Sequence, residues 1–435
     1  MQDDEMKISI IGTGYVGLTT GVGFAVKGND VLCVDIDAAK VETINSGVSP
    51  IYEPLLDDYL KKVLKQKKFR ATIDLSDAVN RSEASFISVG TPSGKDGKID
   101  LRFIEEVSKQ IGQVLKDKKD YHVVVVKSTV VPETTEKVVV ENVESASCKK
   151  AGEDFGVCMN PEFLREGKAM EDFLTPDRIV IGSIDKRSGD VIEKLYSNFK
   201  ASILRTDVKT AEMIKYASNA FLATKISFTN EIGNICKRLC IDVNEVMKGV
   251  GMDSRISPHF LNAGCGYGGS CFPKDVEALI WKAKETGYEP RLLDEVHELN
   301  NRQKVVLVDQ LEKRIGKLKG KNICLLGLAF KPDSDDIREA SSISIISKLI
   351  EKGAKVKAYD PKAMENMEKL FPNIQYVSNA KEALAGSDAC LIVTEWDEFR
   401  KLEDKDFDAM RNRIIIEGRR ILDKAKVSKF DGICW

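Results

Sequence analysis

The stretch Lys7-Ile-Ser-Ile-Ile-Gly12-Thr-Gly14-Tyr15-Val16-Gly17 reads as a short apolar strand running straight into glycines at the G-x-G-x-x-G positions. Leu18 to Val26 then reads as a helix and Asp30 to Asp35 as the next strand, with Asp35 standing 18 residues past Gly17. A lone glycine pattern is weak, but strand, glycines, helix, strand and terminal acid in this order describe a dinucleotide-binding βαβ unit. Gly12 and Gly14 let the backbone turn and approach a pyrophosphate, and Gly17 lets the helix pack close on the strand. The helix N-terminus offers unsatisfied N–H groups to phosphate, with Tyr15 and Val16 in the turn just before it also counted as cofactor contacts. Asp35 accepts hydrogen bonds from ribose hydroxyls and repels a 2′-phosphate, so the expected cofactor is NAD rather than NADP, with Lys40 close by.

Outward from this unit, strands are expected at Ala84–Val89 and His122–Lys127, each ending in small polar residues: Gly90-Thr91-Pro92-Ser93 and Ser128-Thr129. Ligands bind off the carboxyl ends of parallel strands, which makes Thr91, Ser128 and Thr129 candidates for cofactor or substrate contact; plain helix capping is the alternative. Phe155–Met159 reads as another strand, followed by Asn160-Pro-Glu162-Phe163-Leu164-Arg-Glu166-Gly167. Glu162 and Glu166 share a face if that segment is helical, one as a base and the other holding cofactor or water. Arg178–Gly182 is expected to close the sheet, and Lys116–Asp120 to be a solvated charged loop.

From Thr206 to Leu239 apolar residues recur at helical spacing without proline, and Lys215 and Asn219 stand four apart. The lysine is either a snorkelling surface residue or a positive charge for a developing oxyanion. Gly264-Cys-Gly-Tyr267-Gly268-Gly-Ser-Cys271-Phe272-Pro-Lys274-Asp275 follows. Its glycines thin the backbone for a ligand, and a thiol beside an ammonium favours the nucleophilic thiolate; a flexible loop holding a buried cysteine is the bland alternative. Helices are expected at Val276–Thr286 and Leu292–Leu318, as connector and dimer core. Asn322–Gly327, Lys355–Tyr359, Ala389–Thr394 and Arg413–Glu417 read as strands of a second α/β unit, with a helix at Ser342–Lys352. That unit lacks the full glycine fingerprint, so a different nucleotide suits it better than a second NAD, with Lys331 and Arg338 meeting phosphates. The fold class is α/β: two doubly wound Rossmann-like domains, 1–205 and 319–435, joined by a helical connector, 206–318.

The 435 residues are 43% hydrophobic, enough for sizeable cores, and the net charge of −2 gives no reason to expect nucleic acid as a partner. No apolar run approaches the roughly 20 residues a bilayer span needs. The acidic start Met1–Lys7 has no h-region, so a cytoplasmic protein with no membrane partner is expected. Ten scattered cysteines with no C-x-x-C pair read as free thiols, and three distant histidines suggest no metal site.

Four ordered motifs, Gly12–Gly17, Asn160–Gly167, Gly266–Asp275 and Gly327-Leu-Ala-Phe-Lys331-Pro-Asp333, resemble the UDP-glucose/GDP-mannose dehydrogenase family, and within it the UDP-glucose 6-dehydrogenase group, over nearly the whole chain. The resemblance implies an NAD domain, a helical connector and a UDP-sugar domain, assembled as a homodimer. It implies a four-electron oxidation of UDP-glucose at C6 with two NAD+, through a thiohemiacetal and a thioester on Cys271. By match to the family, Lys215 and Asn219 stabilise an oxyanion, Asp275 and Thr129 position water or relay a proton, and Glu162 is a base. Glu166 sits at the nicotinamide end, with Lys274 and Arg338 also near the cofactor. Phe163, Leu164, Tyr267, Gly268, Phe272 and Lys331 line the sugar nucleotide, and Arg255 reaches it across the dimer. One departure stands out: Ser128-Thr-Val-Val-Pro132 is one residue longer than the family's Ser-Thr-Val-Pro.

Gly269-Ser-Cys-Phe272 argues against the N-acetylhexosamine enzymes, which carry histidine in this loop, and Thr175-Pro-Asp-Arg178 resembles the UDP-glucose group rather than GDP-mannose enzymes. A β-hydroxyacid dehydrogenase shares the first domain but needs neither the cysteine loop nor a third domain. A non-catalytic nucleotide-sugar or NAD sensor would keep the fold; the intact set Cys271, Lys215, Asn219 and Asp275 speaks against it.

Overall fold

The computed structural model describes residues 5–94 and 96–435, so Met1–Asp4 of the acidic start lie outside the described residues. The chain divides into two compact units, Met1–Ser218 and Asn219–Trp435.

The first unit is built on an eight-stranded sheet. Its strands are β1 (Lys7–Ile11), β2 (Asp30–Val34), β3 (Phe69–Thr72), β4 (Ala84–Ile87), β5 (Val123–Val126), β6 (Gly156–Met159), β7 (Arg178–Ser183) and β8 (Ser202–Thr206), in the order β3-β2-β1-β4-β5-β6-β7-β8. All neighbours run parallel except β6 and β7. β5 is four valines, all buried, the continuous apolar run that a strand covered on both faces requires. One face packs Phe24, Phe86, Phe173, Tyr196 and Phe199 ring against ring. Strand order reverses between β1 and β4, so Gly12 and Ser88 flank the crevice where a nucleotide enters such a sheet.

The second unit holds a six-stranded parallel sheet of β9 (Asn322–Leu326), β10 (Lys355–Tyr359), β11 (Gln375–Tyr376), β12 (Ala389–Ile392), β13 (Ile415–Glu417) and β14 (Asp431–Gly432), ordered β11-β10-β9-β12-β13-β14. Helices Phe272–Glu285, Arg291–Gln303 and Val306–Ile315 precede it in the chain. The helix Val208–Leu239, of 32 residues, carries the division between the units.

Four expectations need correction. Asn160–Arg165 is irregular, not helical, so Glu162 and Glu166 do not share a helix face. Leu292–Leu318 is two helices; Lys304, at the break, turns inward to Glu339 at 2.8 Å. The sheet closes on β8 rather than β7. Lys118, read as solvated, is buried and donates to the carbonyls of Val79 (2.6 Å), Asn80 (3.0 Å) and Ser82 (2.6 Å). It thereby satisfies the carbonyls left open at the end of helix Leu75–Arg81.

Candidate functional site

In the first unit the glycine turn is built as its sequence requires. Gly12 has φ +100, and a Cβ on Gly17 would lie 1.9 Å from the Gly12 carbonyl oxygen, so helix Tyr15–Val26 can start here only on glycine. A Cβ on Gly14, by contrast, would meet nothing within 4 Å, which leaves this backbone open to a pyrophosphate. Asp35 accepts from the Thr13 amide and hydroxyl, from the Asp37 amide at 3.1 Å and from Lys40 Nζ at 3.0 Å. Burial pushes its carboxyl up, but these bonds outweigh burial and hold it below its ordinary range. A carboxylate fixed as an acceptor at the end of β2 fits the ribose of NAD.

Thr91 and Ser128 cap no helix. Thr91 Oγ1 donates to the Thr129 carbonyl at 2.9 Å and Ser128 Oγ to the Val89 carbonyl at 2.6 Å, tying together the loops after β4 and β5. Beyond Thr129 the chain turns with Glu133 at φ +82. Glu212, which the motifs did not single out, holds this turn: it is fully buried and accepts from the amides of Glu133 and Thr135, each at 2.7 Å, and from Thr135 Oγ1 at 2.6 Å.

Glu162 and Lys215 form a buried ion pair at 2.9 Å, and Glu162 also accepts from the Leu164 amide at 2.6 Å. Burial pushes the Glu162 carboxyl up, yet Lys215 and these hydrogen bonds bring it below its ordinary range, so it stands as a carboxylate. Phe163 lies beside the pair, its ring centroid 5.5 Å from Lys215 Nζ and 3.9 Å from the Arg178 guanidinium. A second buried lysine, which the motifs did not single out, acts on the same pair. Lys127 Nζ donates to Asn160 Oδ1 at 3.0 Å, and burial brings this ammonium down to about 7, with Glu162 opposing and Lys215 adding to the shift. Glu166 lies in a turn whose next residue, Gly167, donates its amide to Tyr15 OH (2.8 Å) and to Glu53 (2.7 Å). Glu53 is another buried acid outside the motifs.

In the second unit Cys271 occupies the N-cap of helix Phe272–Glu285, with Ser270 Oγ 3.5 Å from its sulfur. The helix N-terminus favours negative charge on a group held there. Asp275, one turn on and 1% exposed, accepts from Asn219 Nδ2 at 2.6 Å and pairs with Lys274 at 2.8 Å. Lys274, three residues past the thiol, thus also faces an aspartate. The loop glycines answer to packing within the unit as well. A Cβ on Gly268 would lie 2.3 Å from the Glu339 carbonyl oxygen, one on Gly269 2.7 Å from the Phe330 ring and one on Gly266 2.6 Å from Asn300 Oδ1. They are glycine because the unit's own chain fills the space. Tyr267 is buried and meets the Phe272 ring edge-on at 6.0 Å. Lys331 lies over Phe330, 5.2 Å from its centroid. Arg255 and Arg338 are both exposed and fork onto local aspartates, Asp253 and Asp336, each at 2.6 Å.

The structure thus brings together Glu162, Phe163, Leu164 and Lys215 in one unit and Asn219, Cys271, Lys274 and Asp275 in the other. Among the described residues no group of three or more His, Cys, Asp or Glu could hold a metal ion, and no helix is long and apolar enough to cross a membrane.

Three models of one family match successive parts of the chain: the NAD binding domain of the UDP-glucose/GDP-mannose dehydrogenase family over residues 6–200, its central domain over 209–302 and its UDP binding domain over 324–424. The chain belongs to the UDP-glucose/GDP-mannose dehydrogenase family. This dehydrogenase is 45% identical over 433 residues to the UDP-glucose 6-dehydrogenase AglM of Haloferax volcanii, covering 98% of this chain and 100% of that one. It is 45% identical to the UDP-glucose 6-dehydrogenase TuaD of Bacillus subtilis, over 95% of this chain and 89% of that one. Among solved structures, the UDP-glucose dehydrogenase of Pyrobaculum islandicum is similar with a TM-score of 0.94 at 38% identity, covering 100% of this chain and 99% of that one. The dehydrogenase takes NAD as its cofactor, and the open backbone at Gly14 and the acceptor at Asp35 fit it.

Proposed function

We propose that this dehydrogenase oxidises UDP-glucose at C6 to UDP-glucuronate, with Cys271 as the nucleophile. The observation that carries the reading is the state of the thiols. Seven of the ten cysteines are buried, whereas Cys271 is half-buried at a helix N-terminus, one turn from the bonded pair Asn219 and Asp275. NAD+, when bound, accepts one hydride from C6 in each of the two oxidations.

The chain's own residues supply the rest. Glu162, held as a carboxylate, takes protons, directly or through water, while Lys215 and Asn219 meet negative charge on the C6 oxygen. The first oxidation leaves an aldehyde, whose carbon the Cys271 thiolate attacks; the new oxygen anion takes up a proton to give a thiohemiacetal. Loss of that proton and of the second hydride leaves a thioester. Water positioned by Asp275 and Thr129 cleaves the thioester, and the free thiol and the carboxylate result. Glu166, Lys274 and Arg338 serve the cofactor end, and Phe163, Leu164, Tyr267, Gly268, Phe272 and Lys331 the sugar nucleotide.

We assign the assembly as a homodimer in which Arg255 serves the partner's substrate. The support is an apolar face: Phe221, Phe228 and Ile235 recur at seven-residue spacing on helix Val208–Leu239, with Leu239 beyond them, and all are exposed. Ten free thiols suit a reducing compartment such as the cytoplasm.

The test is NADH formed per sugar nucleotide, measured on a panel of UDP- and GDP-sugars with wild type and Cys271→Ser. Two NADH per UDP-glucose, lost in the variant, is the expected result. Activity with only another nucleotide sugar would replace the substrate and keep the chemistry. A Cys271→Ser protein forming uronate at the normal rate would overturn the role of the thiol.

A further inference from the structure

The segment leading to Cys271 carries almost no side chains of its own to hold it, yet its backbone is held at nearly every residue by others. Asn230 Oδ1 accepts from the Gly264 amide at 2.7 Å, and Gln303 Nε2 donates to the Gly264 carbonyl at 2.7 Å. Ser341 Oγ donates to the Cys265 carbonyl at 2.6 Å and Arg419 to the Gly266 carbonyl at 3.1 Å. Asn300 grips Tyr267, four residues before the cysteine, with both ends of one side chain. Its Oδ1 accepts from the Tyr267 amide at 2.8 Å while its Nδ2 donates to the Tyr267 carbonyl at 3.0 Å. A carboxamide carries an acceptor and a donor side by side and so pairs with both the N–H and the C=O of one residue, and Asn300 is 3% exposed. It projects from helix Arg291–Gln303, whose next turn supplies Gln303.

Tyr267 is therefore pinned twice: by Asn300 at its backbone and by Phe272, the residue after Cys271, at its ring. Gly268, Gly269, Ser270 and Cys271 span the gap between these two fixed points. Gly268 rests against the Glu339 carbonyl and the Gly269 amide donates to the Arg338 carbonyl at 2.8 Å, which leaves the chain little freedom to choose where the sulfur points.

We propose that Asn300 is a positioning residue for the covalent half of the reaction, clamping Tyr267 so that the Cys271 sulfur is held where it can reach the aldehyde carbon. The inference rests on the reading of Cys271 as the nucleophile. The first oxidation does not use the sulfur, so loss of the clamp acts on the second hydride transfer, and a misplacement of about 1 Å lowers such a step about a hundredfold.

Two variants attack the contact from opposite sides. Asn300→Ala removes both bonds. Gly266→Ala places a Cβ 2.6 Å from Asn300 Oδ1 and pushes the carboxamide off. The first readout is NADH per UDP-glucose consumed, with hydroxylamine present to trap released aldehyde. Both variants are expected to fall from two toward one, with KM for UDP-glucose changed less than about threefold. The second readout needs no substrate: the rate of iodoacetamide alkylation of Cys271, followed by mass spectrometry against the exposed thiols Cys148 and Cys240 of the same molecule. Freed from the clamp, Cys271 is expected to react several-fold faster relative to these two, while the seven buried thiols stay unmodified. That last condition separates a loosened loop from a misfolded protein.

Unchanged relative alkylation in both variants overturns the proposal, as does an equal slowing of both oxidations with two NADH still formed per sugar. Failure of the underlying reading looks different: wild type itself would then keep its activity after Cys271 is alkylated, whatever the variants do.

Discussion

Lys127 ends a strand of four buried valines, with Nζ 3.0 Å from Asn160 Oδ1 and 3.5 Å from Tyr196 OH. The charged groups that act on it are Glu162 and Lys215, and burial dominates, lowering its pKa from 10.5 to about 7. The folded state therefore loses this proton near pH 7 while the unfolded chain keeps it to about 10.5. Between these limits the unfolded state binds more protons, so the group makes stability rise with pH, by up to about 1.4 kcal/mol per unit. Lys127→Met is expected to remove that contribution, giving a flatter dependence of unfolding free energy between about pH 7 and 9 in denaturant titrations; an unchanged slope would refute it. Cys271, Asn219, Lys215 and Asp275 were legible because each stands within a recognisable segment. Lys127, Glu212, Glu53 and Asn300 were not, because their partners are backbone groups or amides far away in the chain. A signal for Lys127 did exist: a lysine closing Val123-Val-Val-Val126 has to be either buried or turned away.

At the scale of the element, the two glycine loops look alike in sequence and differ in physical reason. The first βαβ turn is legible at Gly12 and Gly17, whose need for φ +100 and for a helix packed against the turn is local. At 264–269, Glu339, Phe330 and Asn300 occupy the space in which Cβ atoms would sit, so packing within the unit already demands glycine there. Those residues are up to 71 positions on from Gly268, the span to Glu339, so periodicity near the loop carried no trace of them. Gly14→Ala and Gly268→Ala should therefore separate. Gly14 has φ −70 and open space around it, so alanine there is expected to leave thermal unfolding within about 0.5 kcal/mol and to weaken NAD binding about tenfold. Gly268→Ala is expected to cost about 1–3 kcal/mol by overpacking, with NAD affinity unchanged. Thermal unfolding without ligand and NAD titration read the two; the reverse pattern would refute the assignment. The second unit repeats the strand-end acid. Asp360, after β10, accepts from the amides of Leu328, Ala329, Lys362 and Ala363 and from Trp396 Nε1. Five donors hold it against the loops that follow β9, β10 and β12, one more than the four at Asp35.

For the molecule as a whole, each unit has its own sheet and core, and the parallel strand pairs were legible from short apolar runs bounded by glycine and acid. Edge strands β3, β8, β11 and β14 were not, since two to five residues half-covered by neighbours carry little hydrophobic pattern. What the chain does not cover by itself is the face of helix Val208–Leu239 bearing Phe221 (65% exposed), Phe228 (51%), Ile235 (47%) and Leu239 (63%). Single exposed apolar residues need no explanation, but four on one face of one helix form a patch of the kind that marks an interface. Seven residues advance a helix by nearly two whole turns, so Phe221, Phe228 and Ile235 project along one line. A second copy presents the same line, and a two-fold contact satisfies both at once. Phe221→Lys combined with Phe228→Lys places two ammonium groups per chain in that contact, where like charges face each other and neither can be paired. Wild type is expected to sediment at twice the chain mass or an even multiple, and the double variant at half the wild-type mass. The glycine turn and Asp35 lie in the first unit, so NAD affinity should be largely retained in the variant. UDP-glucose turnover should fall, because Arg255 then has no partner to serve. A wild-type protein that sediments as a monomer at micromolar concentration would remove the dimer, and with it the role given to Arg255, while leaving the chemistry of Cys271 untouched.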